Sequence, residues 1–361
     1  MGAGGVETWL MHLLRHIDRE RYRMDFLVHS RTPGVYDDEI RALGSRIMPC
    51  PYHRRPLAYA RTFLRFLREH GPYDVVHSHV HFFSGYVLKL ASRANVPVRI
   101  SHSHNDLSRR KLGAVGRLYR GAMRCWLHRY ATERLACSER AGEALYGEAC
   151  ATARPWKAIS YGRDLSPFRV SVDKSLVRAE LGIPGQAFVV GHVGSFTEQK
   201  NHGLWIEVAR ELARRDPDIR FLLVGDGRLR RAIEQKVEQF ELSQRVVFAG
   251  TRTDVPRLML GATDLFFFPS LWEGLGLALV EAQAAGLPCV VADVVPPEAD
   301  LVQPLVRRLP LSTSLSVWAD AIFESRKVRP RLAPCEALAT VEGSAFNIEK
   351  NCRQMEAIYG V

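Results

Sequence analysis

No stretch of about 18 uninterrupted apolar residues occurs in the 361-residue chain, so no membrane-spanning helix is expected. The N-terminus lacks the charged, then apolar, then small-residue layout of a secretory leader, and the expected location is cytoplasmic. Cysteine is sparse. Cys50, Cys125, Cys137, Cys150, Cys289, Cys335 and Cys352 are odd in number, scattered and never spaced C-x-x-C, which argues against a disulfide framework or a cysteine zinc site. No G-x-G-x-x-G motif with an acidic residue roughly 20 positions on follows a strand, which removes the fingerprint of a nicotinamide-dependent dehydrogenase. Short repeats, low-complexity tracts and recognised nucleic-acid modules are also lacking, and no nucleic-acid partner is expected.

What is present is an ordinary globular composition, 47% hydrophobic and 25% charged. The length exceeds one common core and suits two domains. Charge is uneven: residues 1–160 hold 26 Lys/Arg and 14 Asp/Glu, a net of +12, against 24 and 25, a net of −1, in the rest. A basic half of this kind attracts nucleic acid, an anionic membrane face or a phosphate-bearing substrate through its summed field.

Short β-branched runs alternate with amphipathic segments, the pattern of strands joined by crossover helices in mostly parallel sheets. In the first half, 24–29, 74–77 and 98–102 read as strands, with helices over 8–16 and 57–69. In the second, 188–193, 219–224, 246–249, 264–268 and 289–292 read as strands. Gly, Asp and Pro interrupt the rhythm at 160–167, where a linker is expected. A doubly wound domain normally opens with a strand feeding a glycine-rich turn, yet Gly2, Gly4 and Gly5 come at once, so the first strand of the first domain is expected to be missing. A truncated or misassigned start is the reading, because loss of that central strand strips its neighbours of backbone partners.

The stretch from Ser270 to Ala282 is the most informative. Glu273 is expected in a strand-to-helix loop and Glu281 about two turns into the helix, at ~3.6 residues per turn, so the two carboxylates serve different parts of one ligand. Gly274, Leu275 and Gly276 form the turn between them, where glycine lets N–H groups approach a phosphate and the helix N-terminus adds positive potential.

Glu273-x7-Glu281 with Gly-Leu-Gly between resembles the signature of glycosyltransferase family 4. Gly194-Ser195-Phe196-Thr197-Glu198-Gln199-Lys200-Asn201-His202 is similar to the family's loop after the first strand of the nucleotide-binding domain, and 221–227 resembles its next strand and turn. Gly4-Gly5-Val6-Glu7 resembles the N-terminal glycine loop, and 344–359 the closing helix. The resemblance implies that Gly194, Ser195, Lys200, Glu281, Gly4 and Gly5 bind the donor. Lys200 would meet the diphosphate, Glu281 the ribose hydroxyls, and Glu273 would face the transferred sugar. A nucleoside diphosphate leaving group needs such a cation and oriented amides. The family usually carries Arg where this chain has Ser195, and a hydroxyl does not replace a guanidinium. Either a nearby basic residue compensates, with Arg228 or Arg252 as candidates, or donor binding is weakened or activity is lost.

Two H-x-H-x patterns fall at strand ends, His77-Ser78-His79-Val80-His81 and His102-Ser103-His104-Asn105. The bland reading of each is surface hydrogen bonding. A metal pair lacks a carboxylate or third ligand at a recognised spacing, and the resembling family works without metal, so none is expected. The resemblance places an active-site histidine here, His102 or His104, contacting donor sugar or acceptor at the carboxyl edge of the sheet. Arg110, Arg117, Arg120, Arg124 and His128 fall near one helical face with Leu112, Val115, Met123, Trp126 and Leu127 interleaved. That stripe suits either a solvated face or an anionic headgroup.

The expected fold is α/β of the GT-B type: two Rossmann-like, doubly wound parallel-sheet domains facing a cleft. Residues 1–163 would bind acceptor, 170–335 would bind donor, and a helix in 340–361 would cross back. The resemblance, closest to exopolysaccharide and capsule enzymes, implies a retaining transferase using a UDP- or GDP-sugar, no cofactor, and a glycan acceptor linked to polyprenyl diphosphate. Rival readings are a sugar-nucleotide 2-epimerase on the same fold and a degenerate, non-catalytic partner of a transferase.

Overall fold

The computed structural model describes residues 4–53, 55–105, 113–147, 155–327 and 333–360. It divides into two compact units, one of residues 1–163 with 345–361 and one of residues 164–344.

In the first unit, α1 (Gly5–His16) precedes β1 (Phe26–Val28), α2 (Asp37–Ala42), β2 (Ile47–Pro49), α3 (Pro56–His70) and β3 (Val75–Ser78). Then follow α4 (Ser84–Arg93), β4 (Val98–Ser103), α5 (Ala114–Tyr130), β5 (Glu133–Ala136), α6 (Glu139–Tyr146) and β6 (Lys157–Ala158). Strand pairing is parallel, β1 with β2 and β3-β4-β5-β6 in order, but among the described residues the two groups form separate sheets. A side-chain bridge links them at one end: Tyr73 Oη donates to Asp25 Oδ2 at 2.7 Å, and Asp25 Oδ1 accepts from Arg46 N at 2.9 Å.

The second unit holds α7 (Lys174–Glu180), β7 (Val189–Val193), α8 (His202–Arg215), β8 (Arg220–Val224), α9 (Arg230–Gln239), β9 (Val246–Gly250) and α10 (Val255–Gly261). It continues with β10 (Leu265–Phe268), α11 (Leu277–Ala284), β11 (Cys289–Ala292), β12 (Val306–Leu309), α12 (Leu315–Lys327) and α13 (Pro334–Gly343). Its sheet is continuous, ordered β12-β11-β10-β7-β8-β9, with the first strand central. Helices cover the apolar strands; β10 is buried throughout, which explains its unbroken Leu-Phe-Phe-Phe run. Both units are parallel and wound with crossover helices, the Rossmann-like architecture expected from the strand–helix rhythm.

The last helix, α14 (Ile348–Tyr359), belongs to the first unit and packs on α1. Trp9 Nε1 donates to Asn351 Oδ1 at 2.7 Å, and Asn351 Nδ2 donates to Ser160 O at 2.7 Å. Arg163 and Asn347 form a parallel bridge where the chain leaves and re-enters this unit.

Candidate active site

In the second unit the loops after β7, β8 and β10 interlock through glycines. Gly225 has φ +134°, and a Cβ there would come within 2.1 Å of Gly194 O, so only glycine lets the two loops meet. Gly194 N donates to Val224 O and Phe196 N to Asp226 O, each at 2.9 Å. The chain then makes a 3-10 turn over Glu198–Lys200 that ends at Asn201 in the left-handed region, φ +52°. Asn201 Nδ2 donates to Pro269 O at 3.1 Å and Leu271 N to Gln199 O at 2.8 Å, which fasten this loop to the one after β10.

The result is a buried ion pair. Lys200 Nζ lies 2.6 Å from Glu273 Oε1, with the side chains 15% and 6% exposed. Gln199 Nε2 donates to Glu273 Oε2 at 3.2 Å, and the Lys200 ammonium sits 4.7 Å from the Phe268 ring centre. The lysine folds back over Gly194, whose Cβ position lies 3.0 Å from Lys200 Cε. Beneath it His192 Nδ1 donates to Phe267 O at 3.0 Å, and burial with the nearby His202 holds its pKa well below the usual histidine value. His202 is likewise lowered, to about 4, by burial and then by Lys200. Neither imidazole competes with the lysine as a cation at neutral pH.

Gly274 and Gly276 flank Leu275, whose side chain is buried, so that residue offers a ligand only main chain. Gly276 caps α11 with φ +83°. This placement corrects one expectation: the helix starts at Leu277, so Glu281 is its fifth residue, just over one turn in rather than two. A left-handed residue ends the run of helical dihedrals, and the helix begins only beyond it. The turn leaves the first N–H groups of α11 directed at its N-terminal end. Behind it, the buried Gln283 side chain donates to Leu279 O and Ala299 O and accepts from Leu301 N and Val302 N, anchoring the helix.

Ser195 is exposed on the same loop. Of the two compensating candidates, Arg252 is held by Asp254 through paired contacts of 2.7 and 2.8 Å. Arg228 stands beside the loop, 3.1 Å from Glu198, with both side chains largely exposed.

In the first unit, α1 begins at Gly5 with Gly4 as its N-cap. Its Trp9 sits among the histidines, stacked on Tyr161 at 4.8 Å and edge-on to His102 at 5.3 Å. His77 Nε2 and His102 Nδ1 are 3.2 Å apart, His79 Nδ1 and His104 Nε2 2.9 Å, and His77 Nδ1 reaches Tyr359 Oη at 2.9 Å. His104 Nδ1 bonds Tyr161 Oη. Burial lowers all four pKa values, that of His79 to about 4, so the cluster is neutral. His102 is fully enclosed; His104, with Asn105, lines a cavity. The third imidazole that sequence spacing did not supply comes from β4: nitrogens of His77, His79 and His102 lie within 4.8 Å of one another. Gln199, Trp9 and Tyr161 were given no role from sequence; only adjacency to Lys200 and the apolar stripe of α1 pointed toward the first two.

The basic stripe on α5 is partly structural. Arg124 donates to Leu145 O and Ala144 O, and Arg120 lies over the Phe82 ring at 5.1 Å. Met123 and Leu127 are buried, whereas Val115 and Leu118 are 83% and 77% exposed. Arg110 and Leu112 lie outside the described residues. Among the described residues no helix is long and apolar enough to cross a membrane.

Two family profiles cover most of the chain: a glycosyl transferase 4-like domain over residues 4–162 and glycosyl transferases group 1 over residues 173–316. The chain belongs to this family of glycosyltransferases and has the GT-B fold. It is 36% identical over 327 residues to the putative glycosyltransferase EpsF of Bacillus subtilis, covering 89% of this chain and 84% of that one. It is 32% identical over 234 residues to the Escherichia coli UDP-Gal:alpha-D-GlcNAc-diphosphoundecaprenol alpha-1,3-galactosyltransferase, covering 62% and 58% of the two chains. Among solved structures, Anabaena HepE in complex with UDP-glucose superposes with a TM-score of 0.79 at 21% identity, over 99% of this chain and 96% of that one.

Proposed function

We propose that this glycosyltransferase is a retaining, metal-independent enzyme that moves a hexose from a UDP- or GDP-sugar to a glycan carried on a polyprenyl diphosphate. The observation that carries the reading is the convergence of Lys200, Glu273 and the Gly274–Gly276 turn around the start of α11. There the Lys200 ammonium and the first N–H groups of α11 meet the donor diphosphate, Glu281 accepts from the ribose hydroxyls, and Glu273 faces the sugar. The bond from the anomeric carbon to the diphosphate oxygen breaks with its electron pair leaving on the nucleotide. The acceptor hydroxyl bonds to that carbon on the same face, and its proton passes to the departing phosphate oxygen. His104, neutral and open to a cavity, orients the acceptor.

UDP is favoured by the E. coli relative, whose name gives UDP-Gal as donor and a diphosphoundecaprenol-linked acceptor, and by the UDP-glucose complex of HepE. The exposed Val115 and Leu118 at the start of α5, on a basic half-chain, suit contact with an anionic membrane face, where a lipid-linked acceptor resides. Ring nitrogens already engaged with one another, His77 with His102 and His79 with His104, favour chemistry without a metal.

A thermal-shift panel of UDP, GDP and ADP tests the site: one nucleotide should stabilise the wild type clearly, and Lys200→Ala and Glu281→Ala less. Response to none overturns the reading. With the matching sugar nucleotide, release of free nucleoside diphosphate that depends on acceptor and survives EDTA supports transfer. An isomerised sugar nucleotide instead would mark a 2-epimerase.

A further inference from the structure

Glu273 carries its carboxylate in a nearly enclosed place, with a side chain 6% exposed, and both oxygens are occupied. Lys200 Nζ holds Oε1 at 2.6 Å, and Gln199 Nε2 donates to Oε2 at 3.2 Å. The two donors differ in kind. The ammonium meets a diphosphate as charge to charge, whereas the carboxamide is neutral and gains no ion pair by changing partners. Once a diphosphate draws on Lys200, Oε1 is left to find another donor, because a buried carboxylate oxygen without a hydrogen bond is costly. Oε2 keeps its partner.

The local backbone suits Gln199 to that task. It is the middle residue of the 3-10 turn Glu198–Lys200, and its main-chain O accepts from Leu271 N at 2.8 Å, just before Glu273 in the chain. The turn is closed by Lys200 N donating to Thr197 O at 3.2 Å and Asn201 N to Glu198 O at 3.0 Å. One residue therefore holds the loop after β10 at two points, through its main chain at Leu271 and through its side chain at Glu273. The groups around it are otherwise engaged: Glu198 lies 3.1 Å from Arg228, and His192 Nδ1 donates to Phe267 O.

We propose that Gln199 is a positioning residue for sugar recognition: it keeps Oε2 of Glu273 fixed while Oε1 passes from the Lys200 ammonium to a hydroxyl of the transferred sugar. The inference rests on the donor site proposed above. An ionised carboxylate only accepts, so a sugar hydroxyl is the kind of donor Oε1 takes in exchange for the ammonium. The site thereby divides its work. Lys200 reads the diphosphate that every candidate donor shares, and the pair of Gln199 with Glu273 reads the sugar.

Isothermal titration of the full chain with UDP, GDP, UDP-glucose, UDP-galactose and GDP-mannose tests the division. Gln199→Met keeps the length of the side chain and removes its donor. It should bind the nucleoside diphosphate within about threefold of the wild type and the matching sugar nucleotide about tenfold more weakly, the scale of a lost hydrogen bond to a charged group. In a Glu273→Ala background the same substitution should change the sugar-nucleotide affinity by less than about twofold, because the group it positions is gone. Equal loss for both ligands marks a loop that has lost its shape, and no loss for either marks a contact without consequence; each overturns the assignment. Where UDP or GDP binds the wild type and is lost in Lys200→Ala, either of those results removes the role of Gln199 alone and leaves the donor site standing. A wild type that binds none of the five ligands overturns the donor site and this inference with it, and one that binds a nucleoside diphosphate but no sugar nucleotide overturns sugar recognition by Glu273 and hence the role of Gln199.

Discussion

The ligand-free ion pair makes an unusual prediction about Glu273. Lys200 is already matched by a carboxylate at 2.6 Å in a buried setting, so a diphosphate must compete for the ammonium. Glu273→Gln keeps the side-chain shape and removes the competitor. Its first effect is on stability: breaking one side of a buried pair costs about 3–5 kcal/mol, because the partner charge remains. For a unit of this size that corresponds to a fall in Tm of roughly 6–20 °C. Its second effect runs the other way. With Lys200 released, UDP should bind about tenfold tighter than to the wild type, a gain of about 1.4 kcal/mol, while sugar transfer collapses because the group facing the sugar is gone. Lys200→Met should lose a similar amount of stability yet bind UDP at least tenfold more weakly. Isothermal titration on the three proteins, with melting curves with and without UDP, measures both effects. Should Glu273→Gln bind UDP no tighter than the wild type, the ammonium is not the diphosphate ligand and the proposed donor geometry is wrong.

Gly276→Ala should cost about 1–2 kcal/mol from the left-handed backbone alone, and more because its Cβ would meet Val295 Cγ1 at 3.0 Å; urea unfolding reads the loss and the donor KM should rise with it. Acid should weaken both units: His79 and His202 have pKa values near 4, below that of an unfolded histidine, so the unfolded state binds more protons between. Stability is full above about pH 6.5 and is lost as pH falls toward 4, which urea midpoints at pH 7.5 and 5 should register, with a smaller difference in His79→Gln. Asn351→Leu removes the partners of Trp9 Nε1 and Ser160 O in a buried site and should cost about 1–3 kcal/mol in the first unit without changing UDP affinity.

The legible features were those carried by local pattern. Continuous apolar runs such as 264–268 and 289–292 announced buried parallel strands, and the structure has β10 and β11 there, trimmed by at most one residue. β2 went unread because Ile-Met-Pro is only three residues long and ends in proline, and β5 and β12 because Glu-Arg-Leu-Ala and Val-Arg-Arg-Leu carry neither period two nor an apolar run. Their strand character comes from pairing with neighbours distant in sequence, which a local window does not contain.

The site divides along the same line. The turn into α11 was marked by its glycines, and Gly276 stands there in the left-handed region, φ +83°. The salt bridge between Lys200 and Glu273 spans 73 positions, and the two loops that carry it are fastened at main-chain atoms of the loop after β10, where Pro269 O accepts from Asn201 Nδ2 and Leu271 N donates to Gln199 O. Side-chain identity carries almost no trace of such contacts. The histidine cluster is the converse case: period two within each strand was visible, but only the β3–β4 register, pairing His77 with Ile100 and Ser78 with Ser101, sets His77 beside His102 and His79 beside His104. Register is a property of the sheet, and from it a set of isolated imidazoles becomes one neutral, hydrogen-bonded group around Trp9.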